Sequence, residues 1–335
     1  MHRKGFEASV KINNILSINE LEHIPLSAKM NRWAMSRLRS LELPDEAFAL
    51  AAAVGLARRE QLSSETTKSY NRTGVAHLLS LSGLHLGVIM LIISAFTFFM
   101  PLMRNGHIAA DVIAIIAIWL FAFMVGLSES VTRAAWMFSL LKLSSILSRR
   151  YNSLNALFTA AVAILCLNPS SLYDLGFALS FTAVAAIIVV GVPICKLVDT
   201  DYKILDFVST SLIISCVATI STTPLISNAF GYIVLLSPIT TLPLLLTIFV
   251  IILSTTLWVI CPFPQLAPLF YWTLEVATTI QNYIVEWFAS WEFGVIDYRL
   301  SDFGLGVSYL IVIIVGWLVV KIVPHTEPQQ RVLAP

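Results

Sequence analysis

Charge is what this sequence has least of. Its 335 residues include 21 Lys+Arg and 20 Asp+Glu, 12% of the chain, where soluble domains carry roughly 25%. So thin a charge cover cannot wet the surface of a 37.0 kDa globule, which excludes a soluble enzyme and a disordered chain alike. Cysteine is scarce as well. Cys166, Cys195, Cys216 and Cys261 lie far apart, inside or at the ends of apolar runs, with no CxxC and no Cys/His ligand spacing. A disulfide-stapled secreted domain and a metal centre are therefore not expected, and the four read as small buried hydrophobes. No GxxxxGK[ST], GxGxxG, zinc spacing, EF-hand loop, HExxH or GxSxG occurs, so no cofactor and no catalytic activity are expected. The N-terminal stretch MHRKGFEASVKINNI has no apolar core before Asn13 and does not read as a secretory signal.

Apolar residues are abundant instead: 57% of the chain, with a mean hydropathy of +0.82. Only lipid lets that much apolar side chain stay outside, so the sequence predicts an all-α, polytopic integral membrane protein. Charge divides it near Gly74. Residues 1–74 hold 11 basic and 8 acidic side chains, net +3, and the remaining 261 hold 10 and 12, net −2. The expected organisation is a polar N-terminal segment over 1–74, a transmembrane domain over 75–323 and a short polar tail over 324–335.

No window before Thr73 supplies the roughly 20 apolar residues of a spanning helix. Ala47–Ala57 (AFALAAAVGLA) is too short and reads as an interfacial or packed helix. Asn31–Leu41 (NRWAMSRLRSL) places Arg32, Ser36 and Arg39 on one face and reads as a basic amphipathic helix at the membrane surface. Beyond it, spans are expected near 84–103, 108–127, 131–148, 154–168, 177–198, 207–226, 239–260, 267–289 and 304–323, eight or nine in all. Backbone amides in lipid must be satisfied within their own element, and no ten-residue alternation suggests a barrel. Several spans read as broken: at Ser82-Gly83, at Pro193, at Pro224, and between Pro238 and Pro243. Such breaks survive at membrane depth only beside protein or a water-filled cavity. The Arg149-Arg150 pair is expected on the cytoplasmic side, which puts Arg104, Lys196–Lys203 and the C-terminus inside and residues 1–74 outside.

Three groups of residues could carry chemistry. The first, His77–His85 (HLLSLSGLH), packs His77, Ser80, Ser82, Gly83 and His85 into nine positions. It reads either as a capped helix start, as part of a translocation path, or as a Ser82–His85 nucleophile and base. The second is Arg133 with Lys142. Nine residues apart, they are half a turn out of phase. Arg133, with Ser144 on its face, is the better pore candidate, whereas Lys142 snorkels or pairs, with Glu129 and Asp111 as the available carboxylates. The third is a polar stripe, Glu275, Thr279, Asn282 and Glu286, on one face of 267–289. It is expected to point inward, as proton sites or as helix-to-helix hydrogen bonds.

In order along the chain, several segments resemble one known pattern. Gly74–Gly87 (GVAHLLSLSGLHLG) resembles the signature of the ComEC family of bacterial competence proteins. Ser130–Met137 (SVTRAAWM) is similar to that family's S-x-x-RA-x-x-M. Asn155, Asn168-Pro169 and Asp174–Ala183 (DLGFALSFTA) are similar to its N…NP…GF-x-LSF-x-AV. Thr219–Pro224 with Phe230 resembles a later segment. The likeness runs from about Arg32 to Pro243. SPITTL at Ser237–Leu242 departs from it, having threonine where the family tends to show asparagine. The OB-like and metallo-β-lactamase-like domains of longer members have no counterpart here, so strand degradation is not expected of this chain.

The resemblance implies a channel that carries single-stranded DNA across the bacterial inner membrane during natural transformation. The path or gate would lie around His77, Ser80, Ser82, Gly83, His85, Arg133, Trp136, Asp174, Phe177 and Ser180, with Arg149 and Arg150 as further cations. A polyanion needs such focused cations, given the net −2 of the membrane part, and Trp136 could offer a stacking surface. Moving each negative charge inward against about 100 mV costs about 2.3 kcal/mol. The implied partners are single-stranded DNA, membrane lipid, a periplasmic DNA receptor, a separate cytoplasmic ATPase or helicase, and a second copy in a homodimer. The rival reading is a proton-coupled transporter of a small solute using Glu275, Asn282 and Glu286.

Overall fold

A backbone in lipid finds its hydrogen-bond partners most easily one turn away, and the computed structural model of the chain is nearly all α-helical. It describes residues 26–79, 83–100, 106–147, 152–198, 202–234, 236–291 and 294–322. Thirteen helices occur among them: α1 (Leu26–Arg39), α2 (Asp45–Leu56), α3 (Ser64–Arg72), α4 (Gly83–Phe96), α5 (Gly106–Met124), α6 (Glu129–Ile146), α7 (Ser153–Leu167), α8 (Leu175–Ala186), α9 (Val192–Leu197), α10 (Lys203–Phe230), α11 (Ser237–Ile260), α12 (Ala267–Ala289) and α13 (Asp302–Ile322). Two short strands, β1 (Tyr232–Val234) and β2 (Val295–Asp297), pair antiparallel with Ile233 opposite Ile296. They tie the α10–α11 connection to the α12–α13 connection.

Among the described residues, five stretches are both long and apolar enough to cross a membrane: α5, the continuous rod Leu175–Leu197, α10, α11, and Asp302–Val319 of α13. That is fewer than the eight or nine expected, for two physical reasons. The helices α4 and α7, of 14 and 15 residues, rise only about 21–23 Å, short of a hydrocarbon core of about 30 Å. The helices α6 and α12 are long but too polar.

Proline does not break the spans where breaks were expected. Pro224 lies inside α10 and Pro243 inside α11. Proline removes a backbone donor and crowds the preceding turn, and here hydroxyls donate back into that turn. Thr222 and Thr223 donate to Ala218 O and Thr219 O (2.8 and 2.7 Å), and Thr241 donates to Ser237 O (2.6 Å). Pro238 merely starts α11. Before Pro193 the rod is not interrupted but locally widened, as a π-helical turn over Ile187–Gly191. At the Ser82-Gly83 position, a 3-10 turn (Ala76–Leu79) precedes α4, and residues 80–82 between them lie outside the described part.

The core crosses the charge divide at Gly74. Ala34 and Leu38 of α1 and most of α2 are buried with Ile248 and Ile251 of α11 and Leu274 of α12. The α2 sequence of small residues permits this close approach. A Cβ at Gly55 would fall 2.5 Å from Thr255 Cγ2. Of the two readings for Ala47–Ala57, the packed helix is the one observed. The helix α1 is amphipathic: Asn31, Ala34 and Leu38 face inward while Arg32, Trp33 and Arg39 face out. It is pinned at its end by Arg37 Nη2 donating to Cys261 O (2.7 Å) and Trp258 Nε1 donating to Arg37 O (2.6 Å). A second core joins Leu86 and Ile89 of α4, Ile118 and Phe121 of α5, and Val131 and Ala135 of α6. The cysteines are not buried: Cys166 is exposed and the others are partly so. An apolar side chain on a lipid-facing surface has no need of the core.

Candidate functional site

The helices α4, α6 and α8 come together near Arg133: the second core holds α4 against α6, and Arg133 lies over Phe181 of α8. Gly83 opens α4 beside Ala134 of α6, where an added Cβ would lie 4.0 Å from the Ala134 Cβ. One residue away, Arg133 is buried at 6% exposure, its guanidinium 5.4 Å from the centre of the Phe181 ring on α8. Such a contact favours the cation where water is excluded. Phe181 in turn lies 4.3 Å from Phe177, which is buried, and Ser180 beside it is half-buried. Asp174 caps α8: its Oδ1 accepts from Gly176 N (2.7 Å) and Phe177 N (3.2 Å). These bonds satisfy amides that have no partner within the helix.

The two histidines differ. His85 is 1% exposed, with Nε2 2.8 Å from Val54 O at the end of α2, so that nitrogen carries the proton. His77 is exposed, with Nδ1 3.1 Å from Gly74 O. Ser80, Ser82, Arg149 and Arg150 lie outside the described residues. Trp136 packs edge-to-face on Trp119 at 5.4 Å, and its buried Nε1 finds no acceptor among the described residues. Lys142 pairs with Asp111 of α5 at 2.8 Å, so the two cations of α6 face different neighbours: Arg133 faces α8, and Lys142 faces α5.

The polar stripe of α12 lies elsewhere and does not face the core. The buried face carries Leu274, Ala277, Thr278, Gln281, Val285 and Phe288, whereas Glu275 and Asn282 are half-buried and Thr279 and Glu286 exposed. The polar helix α3 packs alongside and shelters the stripe without lipid having to turn it inward. Asn282 and Glu286 line a cleft of about 220 Å³ with Glu46, Glu65 and Tyr70. Burial raises the phenol pKa of Tyr70, and Glu286 adds to that rise while a hydrogen bond from Gln281 offsets part of it. The phenol therefore stays protonated, 3.4 Å from Asn282 Oδ1.

Two contributors carry no sequence signal of their own. Gln281 is fully buried and accepts from Thr247 of α11; a lone glutamine in a mixed helix does not announce this. Arg59, in the turn after α2, donates from Nε to Leu79 O at 2.9 Å, a contact across twenty residues that no periodicity encodes. Chemically, the buried Arg133 guanidinium is a fixed cation, and Phe181, with Phe177 against it, places aromatic rings beside it.

Comparison with known proteins agrees on one family. The model of the family described as "Competence protein" matches residues 55–323. "ComE operon protein 3" of Bacillus subtilis (strain 168) is 25% identical over 209 residues, covering 62% of this chain and 26% of that protein. An "Uncharacterized protein" of Aquifex aeolicus (strain VF5) is 31% identical over 175 residues, covering 51% of this chain and 40% of its own length. The alignments thus cover less than half of either relative. No solved structure matches. With a match that begins inside α2 and runs past the end of α13, this multi-pass membrane chain belongs to the Competence protein family.

Proposed function

We propose that the protein acts in DNA uptake, conducting single-stranded DNA across the bacterial inner membrane through a path that opens where α4, α6 and α8 begin. One observation supports this reading: three of the four segments that resemble the family pattern, remote in sequence, meet around Arg133. Phosphates favour such a site, because a guanidinium and helix N-termini both attract anions, and neighbouring rings offer faces for bases to stack on. In this reading Arg133 and Phe181 form the closed gate, Gly83 gives the chain room to turn, and Asp174 holds Phe177 and Ser180 in place. Arg149 and Arg150 are proposed as cytoplasmic cations along the same route. Inward movement of a polyanion against the membrane potential needs work, so a separate cytoplasmic ATPase or helicase is proposed, with a periplasmic receptor delivering the strand and a homodimer as the assembly.

The test is import of labelled DNA in cells carrying Arg133→Ala or His85→Ala, with protein level and solute uptake measured alongside. Lost import at normal protein level is expected, and normal import in Arg133→Ala cells would overturn the reading. The carboxylates of the α3–α12 cleft favour a second reading, a proton-coupled transporter. It predicts a solute-uptake defect in Glu286→Gln cells with transformation retained.

A further inference from the structure

The segment between Leu79 and Gly83 is held at both flanks by one corner of the chain. Before it, Leu79 O accepts from Arg59 Nε (2.9 Å); after it, His85 Nε2 meets Val54 O (2.8 Å). Residues 54–59 therefore hold the chain at Leu79 and again at His85. The two arginines of this corner are used differently. Arg58 donates to Asn31 Oδ1 and pairs with Glu60 at 3.0 Å. Arg59 has no carboxylate partner among the described residues, where the ion pairs are Arg58–Glu60 and Lys142–Asp111. Nor do its Nη groups have an acceptor among them. Its side chain is exposed, yet its guanidinium is desolvated enough to lower its pKa, though it remains charged.

An arginine held through Nε has its plane fixed and both Nη groups directed outward as a fork. That fork matches two oxygens of one phosphate, and part of the ordering entropy is already spent. The other arginines of the N-terminal helices lack this combination: Arg32 and Arg72 are exposed with no side-chain hydrogen bond among the described residues to fix their planes. Arg37 is spent on Cys261 O and the Trp258 ring, and Arg39 lies over Phe48. Resting on the channel reading, we infer that Arg59 is a binding residue for a phosphodiester oxyanion of the DNA strand, placed beside Leu79 on the chain that leads into α4.

The test uses the full chain in nanodiscs of neutral phosphatidylcholine and a fluorescent oligothymidylate as probe. Binding is measured across a salt series for the wild type, Arg59→Gln and Arg59→Lys. Each phosphate contact on a single strand contributes about 0.7 to the slope of log affinity against log salt. Arg59→Gln is expected to lower that slope by about 0.7 and the affinity by about tenfold, the scale of one charge-assisted hydrogen bond. Arg59→Lys keeps the slope and loses part of the affinity. A residue that only braces Leu79 would change affinity in both variants and leave the slope untouched, and that result overturns the inference. If Arg59→Gln does not fold, modification of wild-type arginines by phenylglyoxal decides: the oligonucleotide should protect Arg59. Protection that follows added phosphatidylglycerol but not DNA would make the ligand a lipid headgroup and sink the inference. Wild-type protein that binds no oligonucleotide at all refutes the channel reading itself. Normal binding with Arg59 unprotected refutes only the role of Arg59.

Discussion

Lys142 and Asp111 invite a double-mutant cycle, because their geometry separates an ion pair that holds helices from one that serves a path. The Lys142 Nζ to Asp111 Oδ1 distance is 2.8 Å, with 22% of the lysine side chain and 10% of the aspartate side chain exposed. Replacing Lys142 with Met strands a carboxylate between α5 and α6. Breaking a buried pair by removing one partner costs about 3–5 kcal/mol, and the partial exposure of Lys142 argues for the low end, about 3 kcal/mol. That is roughly a hundredfold in the folded-to-unfolded ratio. Asp111→Asn should cost less, about 1 kcal/mol, because Lys142 has a long stem that can carry its charge toward water. The pair Asp111→Asn/Lys142→Met leaves two neutral side chains of similar volume and should return to within about 1 kcal/mol of the wild type. Reversible unfolding in mixed detergent, followed by tryptophan fluorescence, measures all four corners. DNA import by the double variant should equal that of the wild type. A double variant as unstable as Lys142→Met, or a stable Lys142→Met protein, would refute the argument.

Other positions give equally definite expectations. Gly55→Ala forces a Cβ against Thr255 Cγ2 and should cost about 1–3 kcal/mol by overpacking; adding Thr255→Ala should restore stability in the same unfolding assay. Asp174→Ala removes both amide acceptors at the start of α8 and should cost about 1 kcal/mol, whereas Asp174→Asn should lose much less. Both are read as detergent-extracted protein surviving a heating series. Deleting Val189 from the π-helical turn should convert it to a regular helix and leave membrane abundance near normal, since such a turn holds one extra residue. Deleting Ala183 from the regular part of α8 should rotate all that follows by about 100° and abolish accumulation; equal abundance of the two would contradict this.

Helix limits were legible where an apolar run has clear ends. The stretch read as 267–289 is α12 residue for residue, and 154–168 is α7 shifted by one, with Asn152 Oδ1 accepting from Asn155 N. Proline misled because a single ring costs one backbone bond and not the helix: both helices run on through Pro224 and Pro243. Composition alone does not give the number of spans, because it fixes the solvent and not the length of each rod. At the site, helical phase alone separated Arg133 from Lys142, and the structure gives them different neighbours. For the α12 stripe, periodicity places side chains on a common face but does not say that α3 stands beside it, with Tyr70 donating to Asn282 Oδ1. Arg59 was invisible, because its partner is a main-chain carbonyl with no residue identity to recognise.

The small β1–β2 ladder bears on how the molecule is assembled. Ile233 and Ile296 face each other, yet the ribosome makes them 63 residues apart, about 3–13 s at ordinary rates of synthesis. For that interval Tyr232–Val234 is an unpatched edge, and α10 has no fastening to α13. Closing the ladder cinches the α11–α12 hairpin between its neighbours in one late step. A hairpin inserted the other way would keep the two strands apart and leave that edge open.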